Sequence, residues 1–189
     1  MHTLPNIQAV YDHARCLYTK KDVEQALDRM AAAIDSQLAE QNPVILCVMM
    51  GGLVLAGNLL PRLNFCLEVD YLHVSRYQHK MQGGQLHWIE RPHISLSDRT
   101  VLIVDDVLEG GSTLAEIMQE CSVLGAKKIY TAVLIDKQNV QRSPGGLAKT
   151  DFAALTMANG FIFGYGMDYQ GYLRNVPGIY LVDIKHEQI

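Results

Sequence analysis

The sequence predicts an α/β fold in which a mostly parallel central sheet is flanked by helices. Two observations carry this prediction. Short, mainly apolar runs at residues 44–50, 100–106 and 129–135 are typical of strands buried on both faces of a parallel sheet. The segments between them carry apolar residues at helical spacing, and strands that alternate with helices indicate a parallel sheet. With 189 residues and neither an internal repeat nor a linker, the chain is expected to form one domain, 1–189.

The first half of the chain contains two predicted helices and two predicted strands. A helix is expected over about residues 22–40, because apolar side chains recur there at helical spacing: Val23, Ala26, Leu27, Met30, Ile34 and Leu38. The strand 44–50 ends at two glycines, and a second helix follows and stops near Pro61. Residues 66–77 form the next strand candidate. The polar segment 78–98, with glycines and a proline, predicts a hairpin or a mobile loop.

The second half repeats this alternation. After the strand 100–106, a helix is expected from its apolar positions, with Gly125 as its stop: Leu114, Ile117, Met118, Cys121 and Leu124. The strand 129–135 is followed by a polar, glycine-containing loop at about 137–150. Apolar runs at 160–165 and 178–184 complete the pattern.

Composition limits the classes of function. The net charge is −4 and the pI is about 5.9, which argues against a nucleic-acid-binding protein because such proteins carry a basic field. The four cysteines form no CxxC pair, which is typical of free thiols in a reducing compartment. No signal peptide and no apolar run of membrane-spanning length is found, so we expect a cytoplasmic protein without a membrane partner.

The stretch VLIVDDVLEGGST, residues 101–113, carries the strongest functional signal. A buried strand ends at Asp105 and Asp106, Glu109 follows, and then come Gly110, Gly111, Ser112 and Thr113. Ligands of open α/β sheets bind at the carboxyl ends of the strands. Glycines let backbone N–H groups converge on an anion, and the start of the next helix, where Thr113 and Glu116 match a capping box, adds a favourable partial charge. The turn is therefore predicted to hold a phosphate.

The paired carboxylates extend this prediction to a sugar phosphate. Carboxylates accept hydrogen bonds and bind Mg²⁺, which suits the vicinal hydroxyls of a ribose next to the phosphate. A P-loop is excluded because the stretch has no GxxxxGK[ST] with its lysine, and the glycine cluster at 164–171 lies too near the C-terminus to open a dinucleotide-binding unit.

This stretch resembles the 5-phosphoribosyl-1-pyrophosphate (PRPP) signature of the type I phosphoribosyltransferases. VILCVMMGG at 44–52 resembles the family's pyrophosphate loop, and VSRYQ at 74–78 the start of a flexible hood loop. AKTDF at 148–152 and FIFGYGMDYQGYLRNVPGIYLV at 161–182 resemble the purine-binding segments of its hypoxanthine-guanine branch. The resemblance implies transfer of phosphoribose from PRPP to a 6-oxopurine with Mg²⁺, giving IMP or GMP and pyrophosphate, by a homodimer or homotetramer.

The resemblance also implies roles for single residues around PRPP. Asp105 and Asp106 are expected to hold the ribose hydroxyls, directly or through Mg²⁺. Residues 109–113 are expected to wrap the 5′-phosphate, while Gly51 and Gly52 offer backbone amides to pyrophosphate.

The remaining expected roles concern the base, the leaving group and the lid. Lys149 is expected to donate to the 6-oxo group, Phe161 to stack on the base, and Ile162 to offer backbone groups to its edge. Asp168 is expected near a second Mg²⁺ and the pyrophosphate, which Arg174 binds. Residues 75–98 are the lid candidate; the residues on it expected to act in closure are Ser75 and Tyr77. Taken singly, each of these residues is ordinary, and only their joint order carries the interpretation.

Two positions depart from the family pattern. Glu109 stands where the family usually has an aspartate that acts on purine N7, and Met50 stands where the hypoxanthine-guanine branch often has a lysine. Two alternatives therefore stay open: a phosphoribosyltransferase for xanthine or a pyrimidine, and a PRPP-sensing regulator that binds nucleic acid. The acidic composition and the lack of an appended DNA-binding domain speak against the regulator.

Overall fold

A six-stranded sheet forms the centre of the molecule. The computed structural model describes residues 6–76 and 86–186. The strand order is β4-β3-β2-β5-β6-β7, and every neighbouring pair is parallel except β3 and β4. The strand bounds are β2 Val44–Met49, β3 Glu68–Arg76, β4 Leu86–Glu90, β5 Thr100–Leu108, β6 Lys128–Lys137 and β7 Phe152–Met157.

Helices cover both faces of this sheet, as the buried strands predicted. These helices are α2 Lys20–Leu38, α3 Gly52–Leu59 and α4 Ser112–Val123, whereas α1 Ile7–His13 packs with Phe163 and Tyr169. Alternate residues of β5 point to the two helical layers. Leu102 and Val104 pack with α2 and α3, whereas Val101 and Ile103 pack with α4. The expected α/β fold with a mostly parallel central sheet flanked by helices is confirmed.

A second, three-stranded antiparallel sheet lies beside the first, in the order β1-β9-β8. Its strands are β1 Arg15–Tyr18, β8 Ile162–Phe163 and β9 Ile179–Leu181. The predicted apolar runs at 160–165 and 178–184 thus belong to a separate small sheet. Its own core includes Phe163 and Tyr169, and it carries the segment 161–174 toward the carboxyl ends of the main strands.

Three local features differ from the sequence-based expectations. The edge strand β7 was not predicted: only one of its six side chains is buried, and it lacks the Val- and Ile-rich run that marks the central strands. The prediction that Thr113 is the N-cap of a capping box is wrong. Helix α4 begins at Ser112, and its N-cap is Gly111, whose φ of 78° is left-handed. Helix α2 begins slightly earlier than expected because Thr19 and Asp22 form a capping box there.

The expected hairpin or mobile loop over 78–98 contributes one arm of an antiparallel pair: β4 lies in this segment and pairs with β3, which precedes it. The return of the chain is tied by the buried Asp70, which accepts hydrogen bonds from the backbone N–H groups of Tyr71, His93 and Ile94. Burial opposes ionisation of Asp70, but these hydrogen bonds outweigh it and lower the pKa. No helix within 6–76 and 86–186 combines the length and apolar character needed to span a membrane.

Candidate active site

The phosphate turn predicted from the sequence surrounds a cavity at the carboxyl end of β5. The cavity has a volume of about 350 Å³ and is lined by residues 105–114. Asp105 is buried near the carboxyl end of β5, which continues to Leu108 and so beyond the expected end at Asp106, and the turn then runs through Gly110 and Gly111 into α4. The acids, the glycines and the hydroxyls of Ser112 and Thr113 therefore face one space.

Burial shifts the ionisation of both aspartates. The pKa of Asp105 is raised well above its ordinary value by burial and by the adjacent charge of Asp106. The pKa of Asp106 is also raised, chiefly by burial, although the guanidinium of Arg174 partly opposes the rise. Two neighbouring buried carboxylates that resist ionisation favour a ligand that supplies positive charge or hydroxyl donors.

The turn between β2 and α3 contacts these acids directly. The Asp106 carboxylate lies so close to Gly51 that a Cβ at that position would stand 2.1 Å from Oδ2. Only a glycine permits this approach. Gly52 begins α3, and the peptide between Met49 and Met50 is cis. The structure thus brings the expected pyrophosphate loop, with Gly51 and Gly52, beside the expected ribose site.

A second cavity of about 160 Å³ adjoins the first. Its walls come from the end of β5, the end of β6 and the segment after β7, and the residues that line it are Asp106, Val107, Glu109, Lys137, Phe161, Ile162, Met167 and Asp168. The shared residues are Asp106, Val107 and Glu109. Two adjoining cavities of this kind can accept a sugar phosphate and a flat apolar group side by side.

Lys137, which the sequence analysis did not select, provides the cation in this second cavity. It is the last residue of β6, its side chain is buried, and its Nζ lies 2.9 Å from Oε1 of Glu109. Its place at the carboxyl end of a predicted buried strand was a usable signal, since that rule had already selected Asp105 and Asp106.

Lys149, expected to reach the base, lies elsewhere. It is exposed in the loop before β7 and is not among the residues that line the second cavity. The loop 138–151 runs back from the carboxyl end of β6 to its middle, where Ala132 pairs with Phe152. The structure therefore does not bring Lys149 together with the other candidate residues.

The segment after β7 contributes aromatic, acidic and basic groups. Phe161 is partly exposed, and its ring meets that of Tyr169 edge to face with centroids 5.8 Å apart. Ile162 is buried. Arg174 binds Oδ1 of Asp168 at 2.5 Å and donates to the carbonyl of Gly166 at 2.6 Å. Asp168, which lines the second cavity, thus forms an ion pair with Arg174.

The lid residues are only partly described. Ser75 lies in β3, is partly exposed, and pairs with His87 of β4. Tyr77 lies outside the described residues. Closure of residues 75–98 over the site stays a prediction.

The carboxylates of the site suit Mg²⁺ better than a metal whose ligands all come from the protein. Asp106 and Asp168 line the same cavity, and both supply oxygen atoms. In the described part of the chain no three His, Cys, Asp or Glu side chains form a cluster that could hold a metal. Mg²⁺ keeps several waters and is usually held by one or two carboxylates together with substrate phosphates, so these residues fit it.

A larger cavity of about 450 Å³ lies at the opposite end of the sheet, but its chemistry is less specific. It is lined by residues 40–42, 98–100, 127 and 128. Arg99 is already paired with Glu68 and donates to the carbonyl of Asn42. We therefore place the functional site at the carboxyl ends of the strands.

Fold and site together define an α/β protein with an acidic, glycine-containing turn and two adjoining cavities at the carboxyl ends of a parallel sheet. A family model for the phosphoribosyl transferase domain matches residues 13–170, and the chain belongs to this family of transferases. It is 27% identical over 168 residues to the hypoxanthine-guanine-xanthine phosphoribosyltransferase of Tritrichomonas foetus, covering 89% of this chain and 91% of that protein.

Other proteins similar to this chain are also phosphoribosyltransferases that act on hypoxanthine, according to their names. The hypoxanthine-guanine phosphoribosyltransferase of Bacillus subtilis strain 168 is 26% identical over 170 residues, covering 89% of this chain and 93% of the relative. A solved hypoxanthine phosphoribosyltransferase from Staphylococcus aureus superposes with a TM-score of 0.88, covering 99% of this chain and all of that one (100%), at 21% identity. This last likeness concerns the fold.

Proposed function

We propose that this protein joins a 6-oxopurine, hypoxanthine or guanine, to PRPP in purine salvage, releasing pyrophosphate and IMP or GMP. One observation carries the proposal: the phosphate cavity and the second cavity share the edge formed by Asp106, Val107 and Glu109. A ribose 5-phosphate in the first cavity would present its anomeric carbon to a base in the second. The names of the relatives support the choice of base.

In the phosphate cavity, backbone N–H groups of 109–113 and the start of α4 hold the 5′-phosphate. Asp105 and Asp106 accept hydrogen bonds from the ribose hydroxyls or hold Mg²⁺. Bound Mg²⁺ supplies positive charge that stabilises the departing pyrophosphate. Gly51 and Gly52 offer amides to pyrophosphate, and Arg174 adds its charge. Met50 makes no charged contact there, so these backbone groups carry more of the binding.

In the second cavity, we assign the 6-oxo contact to Lys137 in place of Lys149. Lys137 is buried and faces the cavity, whereas Lys149 is exposed outside it. An ammonium can donate to an oxo group but meets a second donor in an amino group, so Lys137 favours 6-oxopurines. Phe161 packs against the face of the base, and Ile162 and Asp168 border it.

Glu109 is the proposed catalytic residue. It lines both cavities, so its carboxylate can accept the proton of a purine nitrogen while its backbone holds the sugar phosphate. Its Oε1 lies 2.9 Å from Nζ of Lys137. Water must be kept from the reactive sugar, and we propose that residues 75–98 close over the site, with Ser75 and Tyr77 riding on them.

We also propose a homodimer or homotetramer. Val69 and Tyr71 are two residues apart in β3, so their side chains lie on the same face of the strand, and both are exposed. Met50, just before α3, and Leu53, in its first turn, are also exposed. Burial of such large apolar side chains against a second copy is favourable. Light scattering that gives the mass of a monomer at micromolar concentration contradicts this proposal.

A substrate panel tests the proposed reaction. The protein is incubated with PRPP, Mg²⁺ and one base at a time, and pyrophosphate is measured. Hypoxanthine and guanine should give product, and xanthine measures how wide the specificity is. Adenine, which has a 6-amino group, is the matched control. Turnover with adenine or uracil but not with the 6-oxopurines would refute the proposal.

A further inference from the structure

Arg142 lies beneath the phosphate turn and binds its backbone. Its Nη1 donates to the carbonyl oxygens of Leu108 at 3.1 Å and Glu109 at 2.5 Å, while Nε donates to the carbonyl of Ala148 at 3.2 Å. The guanidinium does not line either cavity of the site. Its contacts therefore act on the turn and not on a ligand.

Asp136 holds this arginine in place. Its carboxylate is 5% exposed and lies 2.7 Å from Nη2 of Arg142. Asp136 precedes Lys137 in β6, and successive side chains of a strand point to opposite faces. The end of β6 thus binds Glu109 twice: Lys137 contacts the carboxylate, and Asp136 contacts its backbone carbonyl through Arg142.

The backbone after Arg142 continues the same pattern. The N–H of Ser143 donates to the carbonyl of Gly110 at 2.8 Å, and the N–H of Leu147 donates to that of Gly111 at 3.0 Å. The two chains lie so close that a Cβ on Gly111 would stand 2.4 Å from the carbonyl oxygen of Leu147. Four consecutive carbonyls, those of residues 108–111, therefore accept hydrogen bonds from the segment 142–147.

This pattern has a consequence for the N–H groups of the turn. In a planar trans peptide the C=O of one residue and the N–H of the next point in opposite directions. Carbonyls 108–111 point toward the segment 142–147, so the N–H groups of 109–112 point away from it. Converging N–H groups of this kind bind anions, and fixing them beforehand removes an ordering cost from binding.

We propose that Arg142 is a positioning residue of the sugar-phosphate site: anchored by Asp136, it fixes the carbonyls of the turn so that the N–H groups face the 5′-phosphate. The inference rests on the proposed function, because it assigns the 5′-phosphate to this turn. Arg142 lies outside the signature stretch 101–113 and is not among the residues that line either cavity.

Binding measurements on Arg142→Met test the proposal. Loss of charged hydrogen bonds to the turn should weaken PRPP and the nucleoside monophosphate by a similar factor, on the order of tenfold. Pyrophosphate lacks the 5′-phosphate and uses Gly51, Gly52 and Arg174, so its inhibition constant should change by less than about twofold. A merely structural defect would weaken all three ligands together, and that result would overturn the proposal.

Two further variants separate positioning from charge. In Arg142→Met the buried carboxylate of Asp136 loses its partner, and the double variant Asp136→Asn with Arg142→Met removes that unpaired charge. Recovery of wild-type PRPP affinity in the double variant would mean that Arg142 only neutralises Asp136. Arg142→Lys keeps the positive charge but loses the planar set of N–H donors of the guanidinium, so the variant should retain the fold and still bind PRPP more weakly than wild type. If Arg142→Met does not fold, wild-type PRPP affinity in Arg142→Lys overturns the proposal.

Arg99→Met is the matched control. Arg99 also joins a carboxylate, that of Glu68, to a backbone carbonyl, that of Asn42, but at the opposite end of the sheet. It should lose stability without a change in PRPP affinity. Wild-type protein is assayed alongside: failure of the wild type to bind PRPP refutes the proposed function, whereas wild-type turnover matched by Arg142→Met refutes this inference alone.

Discussion

Nζ of Lys137 lies 2.9 Å from Oε1 of Glu109, which joins the end of β6 to the phosphate turn that follows β5. The lysine side chain is 6% exposed, whereas the glutamate side chain is 54% exposed. A buried ammonium is costly unless it is paired, so Glu109 stabilises Lys137 in the absence of a base. A bound 6-oxopurine can take over as acceptor for Lys137, which leaves Glu109 available for a purine nitrogen.

Lys137→Met should impair use of the base far more than binding of PRPP. Methionine nearly keeps the shape but cannot donate to the 6-oxo group, and a hydrogen bond to a charged group accounts for about 10- to 100-fold in kcat/KM. Steady-state kinetics with hypoxanthine and guanine measure the loss. Lys149→Met is the control and should behave like wild type. A loss of kcat/KM in Lys149→Met but not in Lys137→Met would assign the base contact to Lys149.

Glu109→Gln should keep PRPP affinity while kcat falls. Glutamine preserves the shape and the backbone but cannot accept the purine proton, and general acid–base assistance is typically worth about 10²–10⁴-fold. Calorimetry with PRPP and single-turnover kinetics measure the two effects separately. Glu109→Asp keeps a carboxylate and should retain substantial activity. If Glu109→Gln turns over like wild type at every pH, the carboxylate has no part in proton transfer.

Gly51→Ala should abolish PRPP and pyrophosphate binding. The new Cβ would stand 2.1 Å from Oδ2 of Asp106, so either the carboxylate or the turn must move. Gly57→Ala is the control, since nothing apart from its own stretch of helix lies within 4 Å of a Cβ there. Gly57 is in α3, and alanine should stabilise that helix by about 0.5–1 kcal/mol. Equal PRPP affinity in the two variants, measured by calorimetry, contradicts the close approach.

Asp105→Asn should stabilise the metal-free protein increasingly as the pH rises. Folded Asp105 has a raised pKa, so it keeps its proton at pH values where the unfolded chain, with an ordinary pKa of 3.8, has lost it. The folded state then binds more protons, and the free energy of unfolding of wild type falls as pH rises from about 4 through the folded pKa. Asparagine lacks this ionisation.

Urea unfolding with a chelator present, at several values between about pH 4 and pH 8, checks this expectation. The stability difference between Asp105→Asn and wild type should widen with pH, and the variant should bind PRPP weakly. Leu102→Ala, a buried substitution in the same strand that carries no charge, is the control and should give a pH-independent difference. A constant difference for Asp105→Asn would mean that burial does not oppose its ionisation.

Residues whose environment is set by their neighbours in the chain were predictable. The strands 44–50, 100–106 and 129–135 are buried on both faces, so their continuous apolar runs indicate both the strand and its layer. Strand β7 lies at the sheet edge with only one of its six side chains buried and contains no Val or Ile, so its composition did not mark it as a strand. The start of α4 was misplaced because a left-handed Gly111 leaves no signal that separates it from other turn glycines.

The sequence by itself determined the family and the phosphate turn, because the acids, glycines and hydroxyls of that turn are contiguous and share one strand end. Only the tertiary structure decided which lysine lines the second cavity, because the choice between Lys137 and Lys149 depends on how β6 pairs with β5 and how the following loop folds back. The contacts of Gly51 with Asp106 and of Arg142 with the turn likewise join residues distant in the chain, and sheet register, not local propensity, brings them together.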